Sequence, residues 1–323
     1  MKCINRKTVS IILLCLFTIT TIGCGTRNIP LSYEENEVQN GQNQSENKAD
    51  AFASDLCVAI SDIDNTSGLE MEKESAAGLF DVTNKEVIYA KDIHERLYPA
   101  SLTKVMTALV ALKYGNTEDM ITVTQNVIIN ESGAQLCGLK PGDQLTLNQA
   151  LHALLIDSAN DAGVVIAEHI GGSVEGFAEM MNQEAIAIGA TNSHFVNPHG
   201  LPDNDHYVTA YDMYLIMNEA MQYNLFNEII HMSDYSTVYF DKDGNEKEMS
   251  FGTTNLFLKG DYKSPETITV IGGKTGTTNA AGNCLILVTR DIAGNPYISV
   301  ILRASERDKL YKEMIDLLSE INN

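Results

Sequence analysis

Apolar residues recur with helical spacing in SLTKVMTALVALKYG, where Leu102, Val105, Met106, Leu109 and Leu112 follow Pro99. Apolar side chains occupy nearly every side of that stretch, which predicts a buried helix. Thr146 with Gln149 forms a capping-box pattern, so a second helix is expected to start there and run through Ile156. A third apolar run, Ala162 to Ile170, is stopped by Gly171 and Gly172. Two further helices are predicted, from Val174 to Ile188 ended by Gly189, and from Ala210 to Met221 preceded by Thr209. On either side of this region the period is that of strands. Ser75 to Tyr89 reads as two strands around the turn Thr83-Asn84-Lys85, and Ser236 to Asp241 and Glu246 to Phe251 flank the hairpin signal Asp243-Gly244. Ile268 to Lys274, Cys284 to Arg290 and Tyr297 to Arg303 are further strands, followed by an amphipathic helix over Leu310 to Ile321. Strands at both ends with helices between predict an α/β (α+β) fold, a mixed sheet interrupted by an inserted helical region at roughly residues 116–230.

The first residues have a different pattern. Lys2, Arg6 and Lys7 precede an apolar stretch from Val9 to Gly23, the plan of an export signal. The stretch is short for a transmembrane helix of ~20 residues, and an uncleaved anchor is the alternative. Its end, Thr21-Ile22-Gly23-Cys24, resembles a bacterial lipoprotein cleavage box. The resemblance implies removal of residues 1–23, a lipid on Cys24 and a domain tethered to the outer face of the cell membrane. Residues 24–55 include NEVQNGQNQSENKAD, too polar and aperiodic to bury a core, and are expected to be a flexible tether. The folded domain is then 56–323. With Cys3 and Cys15 in the leader and Cys24 lipidated, Cys57, Cys137 and Cys284 remain, too few for a disulfide framework and set among apolar neighbours expected to be core.

The chain carries 22 basic and 43 acidic residues, a net charge of -21 that repels phosphate backbones and excludes nucleic acid as a partner. The candidate chemistry lies elsewhere. Ser101 and Lys104 are three apart at the first turn of the buried helix, which places an amine beside a hydroxyl nucleophile. The pair alone says little, because Ser45 and Lys48 in the tether repeat it. The ordered set says more: Ser101-Leu102-Thr103-Lys104, then Ser158-Ala159-Asn160 between two helices, then Lys274-Thr275-Gly276 at a strand's end.

On these motifs, and on the phrases YPASLTK, LKPGDQLT, SANDAGVVIAEHIGG, NSHFVNPHGLPD and GGKTGTTNAAGNCL, the sequence resembles the D-alanyl-D-alanine carboxypeptidases among the low-molecular-mass penicillin-binding proteins. The likeness runs from about Ser75 to Ala304. It implies a β-lactamase/transpeptidase-like fold, an antiparallel sheet flanked by helices with an inserted all-helical region. It also implies that Ser101 is the nucleophile and Lys104 its base, that Ser158 relays a proton to the leaving amine, and that Asn160 holds the substrate amide and Lys104. Lys274, Thr275 and Gly276 would receive the terminal carboxylate and the peptide backbone, with the N–H groups of Ser101 and Thr277 as oxyanion donors. Peptidoglycan stem peptides are the implied substrates and β-lactam antibiotics the implied covalent inhibitors. A free lysine titrates near ~10.4, so the base role requires burial and the nearby charge of Lys274 to lower it.

Other readings of the same residues are weaker. Ser158 and Asn160 would suit an ordinary helix cap. GGKTG imitates half of a phosphate loop, but Ile268 stands where the first glycine is required. His194, His199, His206, Asp203 and Asp205 crowd one loop without a helical H-x-x-x-H pair, and Asn197-Pro198-His199-Gly200 reads as a turn, so no metal or cofactor is expected. A β-lactamase would need a water-activating E-x-x-L-N loop between Asn160 and Lys274, where none occurs, and a non-catalytic binding protein would not need a complete nucleophile and base. The last strand is followed only by a short helix to Asn323. The extra β-rich domain and amphipathic membrane helix that many relatives carry are therefore not expected, and the lipid on Cys24 would substitute for that anchor.

Overall fold

The computed structural model describes residues 53–63 and 68–322. The chain divides into two units, Met1–Ala49, which lies outside the described residues, and Asp50–Asn323, the unit considered below. The expected leader, Cys24 and nearly all of the tether thus lie outside the described residues.

Strands β1 (Ala76–Asp81) and β2 (Glu86–Lys91) form a hairpin, its turn held by Asp81 Oδ1, which accepts the N–H groups of Thr83 and Asn84 at 2.9 and 2.8 Å. A 3-10 turn (Ala100–Leu102) leads into α1 (Thr103–Tyr114), whose residues from Thr103 to Ala111 are all buried, as the pattern predicts. Next come β3 (Met120–Thr122), β4 (Gln144–Thr146) and α2 (Leu147–His152). The capping box is formed: Gln149 N–H donates to Thr146 Oγ1 at 3.1 Å and Thr146 N–H to Gln149 Oε1 at 2.8 Å. A π turn (Ala153–Asp157) extends α2, and Ser158 ends it in the left-handed region, with φ 65°. Helices α3 (Asn160–Gly171), α4 (Val174–Ala187), α5 (Ala210–Ala220) and α6 (Asn224–His231) follow. The remainder is β5 (Asp234–Phe240), β6 (Glu246–Gly252), α7 (Leu256–Lys259), β7 (Thr269–Thr278), β8 (Gly282–Arg290), β9 (Pro296–Ala304) and α8 (Arg307–Ser319).

The main sheet has the order β2-β1-β9-β8-β7 and is antiparallel throughout, not mixed. Both faces are buried. Phe80, Ile286, Val288, Ile298, Val300 and Leu302 point into the core shared with α1 and α5, while Leu79, Leu285, Leu287 and Ile301 point to the other face. There Leu310, Met314, Leu317 and Leu318 of α8 cover them. Two buried faces explain why CLILV and YISVIL read as nearly continuous apolar runs, and each such side chain removed from water contributes ~1.5–3 kcal/mol.

Two further expectations need correction. The insert is not all-helical: β3 and β4 lie within it and join β5 and β6 in a second sheet of order β3-β4-β5-β6. Strands of three residues show no alternation in sequence, and the link between the halves is the long-range pair Gln144 with Phe240. The Lys274-Thr275-Gly276 motif also lies inside β7 and not at its end, because pairing with β8 continues to Thr278 opposite Gly282. That leaves β7 as an edge strand of the main sheet, beside the 3-10 turn that carries Ser101.

Candidate active site

Ser101 sits in the 3-10 turn immediately after Ala100, a residue with φ 46°. One turn later Lys104 is fully buried. Its Nζ lies 2.9 Å from Ser101 Oγ and donates to Asn160 Oδ1 and to the carbonyl of His199, both at 2.7 Å. Burial, then the charge of Lys274, holds Lys104 well below the ordinary lysine range, against the opposing pull of Asp161 and Asp157. An uncharged amine has two N–H bonds and one lone pair. With two carbonyl oxygens taking the hydrogens, the lone pair is left for the Ser101 hydroxyl.

Lys274 is buried as well, and its Nζ donates to Ser158 Oγ and to the Thr275 carbonyl, both at 2.9 Å. Burial lowers it to about 7, with Asp157 opposing. Ser158 therefore does not cap a helix: its hydroxyl faces Lys274, and Ala159, which precedes α3, makes no side-chain cap. Asn160 is the first residue of α3 and faces Lys104. Thr275 Oγ1 lies 2.6 Å from Thr254 Oγ1, and Thr277 Oγ1 donates across the ladder to Asn283 Oδ1 at 3.2 Å. Gly276 carries no side chain where a Cβ would come within 2.9 Å of Ser101 N, so the strand and the serine turn pack backbone to backbone. The structure thus brings all eight predicted domain residues to one place.

It also adds residues that the motifs did not single out. The loop delivering the His199 carbonyl is an Asx turn, with Asn197 Oδ1 accepting Gly200 N–H at 2.7 Å. Gly200 has φ +88°, and a Cβ there would lie 1.8 Å from the Ala100 carbonyl oxygen. Thr107 Oγ1 donates to the Pro198 carbonyl at 2.6 Å and fixes the loop to α1. The histidines of this region are structural: His206 Nε2 meets Thr103 Oγ1 at 2.9 Å while its Nδ1 accepts Val196 N–H at 3.2 Å. Burial lowers His206 to about 4 and His199 to about 3. Among the described residues no group of three or more His, Cys, Asp or Glu could hold a metal ion.

Opposite Ser101, the loop before β4 is bound to the start of α3. The buried Asp161 carboxylate accepts three successive N–H groups, from Cys137 at 3.0 Å, Gly138 at 2.8 Å and Leu139 at 3.1 Å. Asn160 N–H donates to the Gln135 carbonyl at 2.8 Å, and Gln135 Nε2 to Asp157 Oδ1 at 2.9 Å. Cys57 and Cys284 are core residues as expected. Cys137 is only partly buried, with its thiol 3.4 Å from Asp161 Oδ1.

Two cavities open at Ser101. One, of about 360 Å³, includes Ser158, Thr254, Lys259, Thr275 and Arg307. The other, of about 380 Å³, includes Glu131, Gln135, Asn160, His199, Leu201 and Asn279. The first sets two cations, Lys259 and Arg307, and several hydroxyls against one carboxylate, Asp157, a balance that suits a bound carboxylate. Arg307 and Thr254 carry no periodic or motif signal in the sequence, and only the packing of α8 and the β6–α7 connection beside β7 brings them here.

This backbone is that of the penicillin-binding transpeptidases. It superposes on the DD-transpeptidase of Streptomyces K15 with a TM-score of 0.70 at 24% identity, covering 76% of this chain and 95% of that one. It superposes on a penicillin-binding protein homolog from Mycobacterium tuberculosis with a TM-score of 0.67 at 26% identity, covering 76% and 90%. The family model described as D-alanyl-D-alanine carboxypeptidase matches residues 64–306, and the chain belongs to that family. It is 34% identical to the D-alanyl-D-alanine carboxypeptidase DacF of Bacillus subtilis over 261 residues, 78% of this chain and 63% of that protein. It is 32% identical to DacC of Escherichia coli over 251 residues, 75% of this chain and 59% of that protein. The chain thus spans about three fifths of the length of these curated relatives. Among the described residues no helix is long and apolar enough to cross a membrane.

Proposed function

We propose that this protein is a serine-type D-alanyl-D-alanine carboxypeptidase that removes the terminal D-alanine from peptidoglycan pentapeptides through an acyl-enzyme on Ser101. The observation that carries the proposal is Lys104 Nζ at 2.9 Å from Ser101 Oγ, buried and bound to two carbonyl oxygens. A proton acceptor at this distance contributes a factor of about 10²–10⁴ to such a reaction. Ser101 Oγ transfers its proton to Lys104 and attacks the carbonyl before the last residue. The oxyanion is received by the N–H groups of Ser101 and Thr277. Ser158, 2.9 Å from Lys274 Nζ, passes a proton to the departing amine, and water then frees the acyl group.

The terminal carboxylate lies toward Lys274, Thr275 and Arg307, with the Gly276 backbone beside the peptide. Asn160 holds the substrate amide on the other side. β-Lactams acylate the same serine and leave slowly, because no E-x-x-L-N loop supplies a water-activating glutamate. The domain works outside the cell membrane, held by a lipid on Cys24. The test is release of D-alanine from a pentapeptide by the purified protein, together with intact-mass detection of a penicillin adduct mapped to Ser101. Both are lost in Ser101→Ala; a parent protein showing neither defeats the proposal.

A further inference from the structure

A third cavity, of about 290 Å³, contains none of the groups assigned above. Its walls include Arg96, Tyr98, Asn204, Tyr207, Ala281 and Arg303. In a chain of net charge -21 it gathers two guanidinium groups, two phenols and an amide, with no carboxylate among its lining residues. The Arg96 guanidinium lies 4.8 Å from the Tyr207 ring centroid, within cation–π range, and its Nη2 donates to Asn192 Oδ1 at 3.4 Å, while Tyr98 Oη reaches Asn204 Oδ1 at 3.4 Å. Asp203 and Asp205 flank Asn204 in the chain without lining the cavity, and Glu95 lies 3.7 Å from Arg303. Both side chains are nearly half exposed, so that pair is weak and displaceable.

Arg303 reaches the cavity because the sheet is broken to send it there. Asn283 pairs with Ala304 but Leu285 pairs with Ile301, so Leu302 and Arg303 together face Cys284 in a bulge. Without the extra residue, Arg303 would share the face of Ile301, which packs under α8. Instead Ala304 takes that place, and Arg303 adopts φ 64° and turns outward. Left-handed backbone is unfavourable for a residue with a side chain, and bulges that re-aim one side chain recur beside binding sites.

The walls of this cavity come from the same chain segments as those of the reaction cleft. Ala281 belongs to the β7–β8 turn, whose Asn279 lines the second of the cavities at Ser101 together with Thr278 at the end of β7, and Asn204 follows closely on Leu201 and Pro202 of that same cavity. Tyr98 stands three residues before Ser101, at most about 11 Å along the chain. We propose that this cavity is a carboxylate subsite for the acyl portion of the wall peptide. It would take a free internal carboxylate, such as that of a γ-linked glutamyl residue, two to three residues before the scissile bond. Two planar guanidinium forks flanked by phenols match a carboxylate's paired oxygens. The assignment rests on the carboxypeptidase reading, and its test has one arm that does not depend on turnover.

Two pentapeptides differing only in that internal group, carboxylate against primary amide, are compared with the parent protein and with Arg96→Gln/Arg303→Gln. The expected result is that the parent prefers the carboxylate by about tenfold or more in kcat/KM, that the double variant loses the preference, and that its amide-peptide rate stays parental. Separately, calorimetry of both peptides on Ser101→Ala, with and without the two Gln substitutions, reads the same preference as affinity. If neither peptide is hydrolysed but calorimetry shows the Arg-dependent preference, the carboxypeptidase reading fails and the subsite stands. No preference by the parent in calorimetry, or an equal loss for both peptides in the double variant, overturns the subsite. Glycerol phosphate displacing the carboxylate peptide at equal or lower concentration than free glutarate would overturn the peptide assignment.

Discussion

Gly200→Ala tests whether the His199 carbonyl positions the base. The new methyl group would lie 1.8 Å from the Ala100 carbonyl oxygen and 2.4 Å from its carbon, both backbone atoms next to Ser101, and φ is +88°. The conformation alone costs roughly 1–2 kcal/mol. The overlap cannot be relieved by a rotamer, so the loop must lift from α1, and the 2.7 Å bond from Lys104 Nζ to the His199 carbonyl goes with it, at about 1 kcal/mol. For a domain of this size the sum corresponds to a melting temperature lower by roughly 5–10 °C. A base that has lost one of its two orienting carbonyls should acylate at least about tenfold more slowly, equivalent to ~1.4 kcal/mol. The assay is the second-order rate of labelling by a fluorescent penicillin, beside a thermal melt. Gly244→Ala is the control: φ is +79° there too, but nothing lies within 4 Å of the added methyl, so it carries the conformational cost without the collision. Parental labelling by Gly200→Ala, or a loss no greater than that of Gly244→Ala, would refute the reasoning.

Lys104→Arg keeps the charge but cannot deprotonate, so penicillin labelling should vanish, whereas Lys274→Arg retains more; equal labelling by Lys104→Arg and the parent contradicts the base assignment. Thr254→Val removes the partner 2.6 Å from Thr275 Oγ1 and should raise KM for a carboxylate-terminated peptide about tenfold with kcat little changed, with Thr254→Ser restoring it. His206 is lowered to about 4 in the fold, so the unfolded chain takes up a proton first as pH falls from about 6.5. Its contribution to stability is full above that value and lost toward pH 4. Melts of His206→Gln should therefore decline less over this window than those of the parent, and parallel declines would count against it.

The large helices and the central strands were readable because their apolar periods span many residues, and the capping box at Thr146 and Gln149 located a helix start to the residue. The convergence of Ser101, Lys104, Ser158, Asn160 and Lys274 was readable only because three spaced motifs coincide, since the Ser101–Lys104 spacing alone is repeated by Ser45 and Lys48. What escaped is set by backbone or by distant pairing. The His199 oxygen is a main-chain atom that no side-chain pattern reports. The second sheet depends on strands of three residues, and Thr254 reaches Thr275 only after β6 and β7 are placed. Helix α6 (Asn224–His231) also went unread, being two turns long and without a cap residue.

The Asp161 carboxylate fastens one side of the substrate opening to the very helix end that presents Asn160. The opening and the reacting groups therefore cannot drift independently. Substitutions that widen this opening at residues 131–139 would be felt at Lys104 beside Ser101, so this architecture narrows the routes by which a descendant could reshape the opening without disturbing that pair.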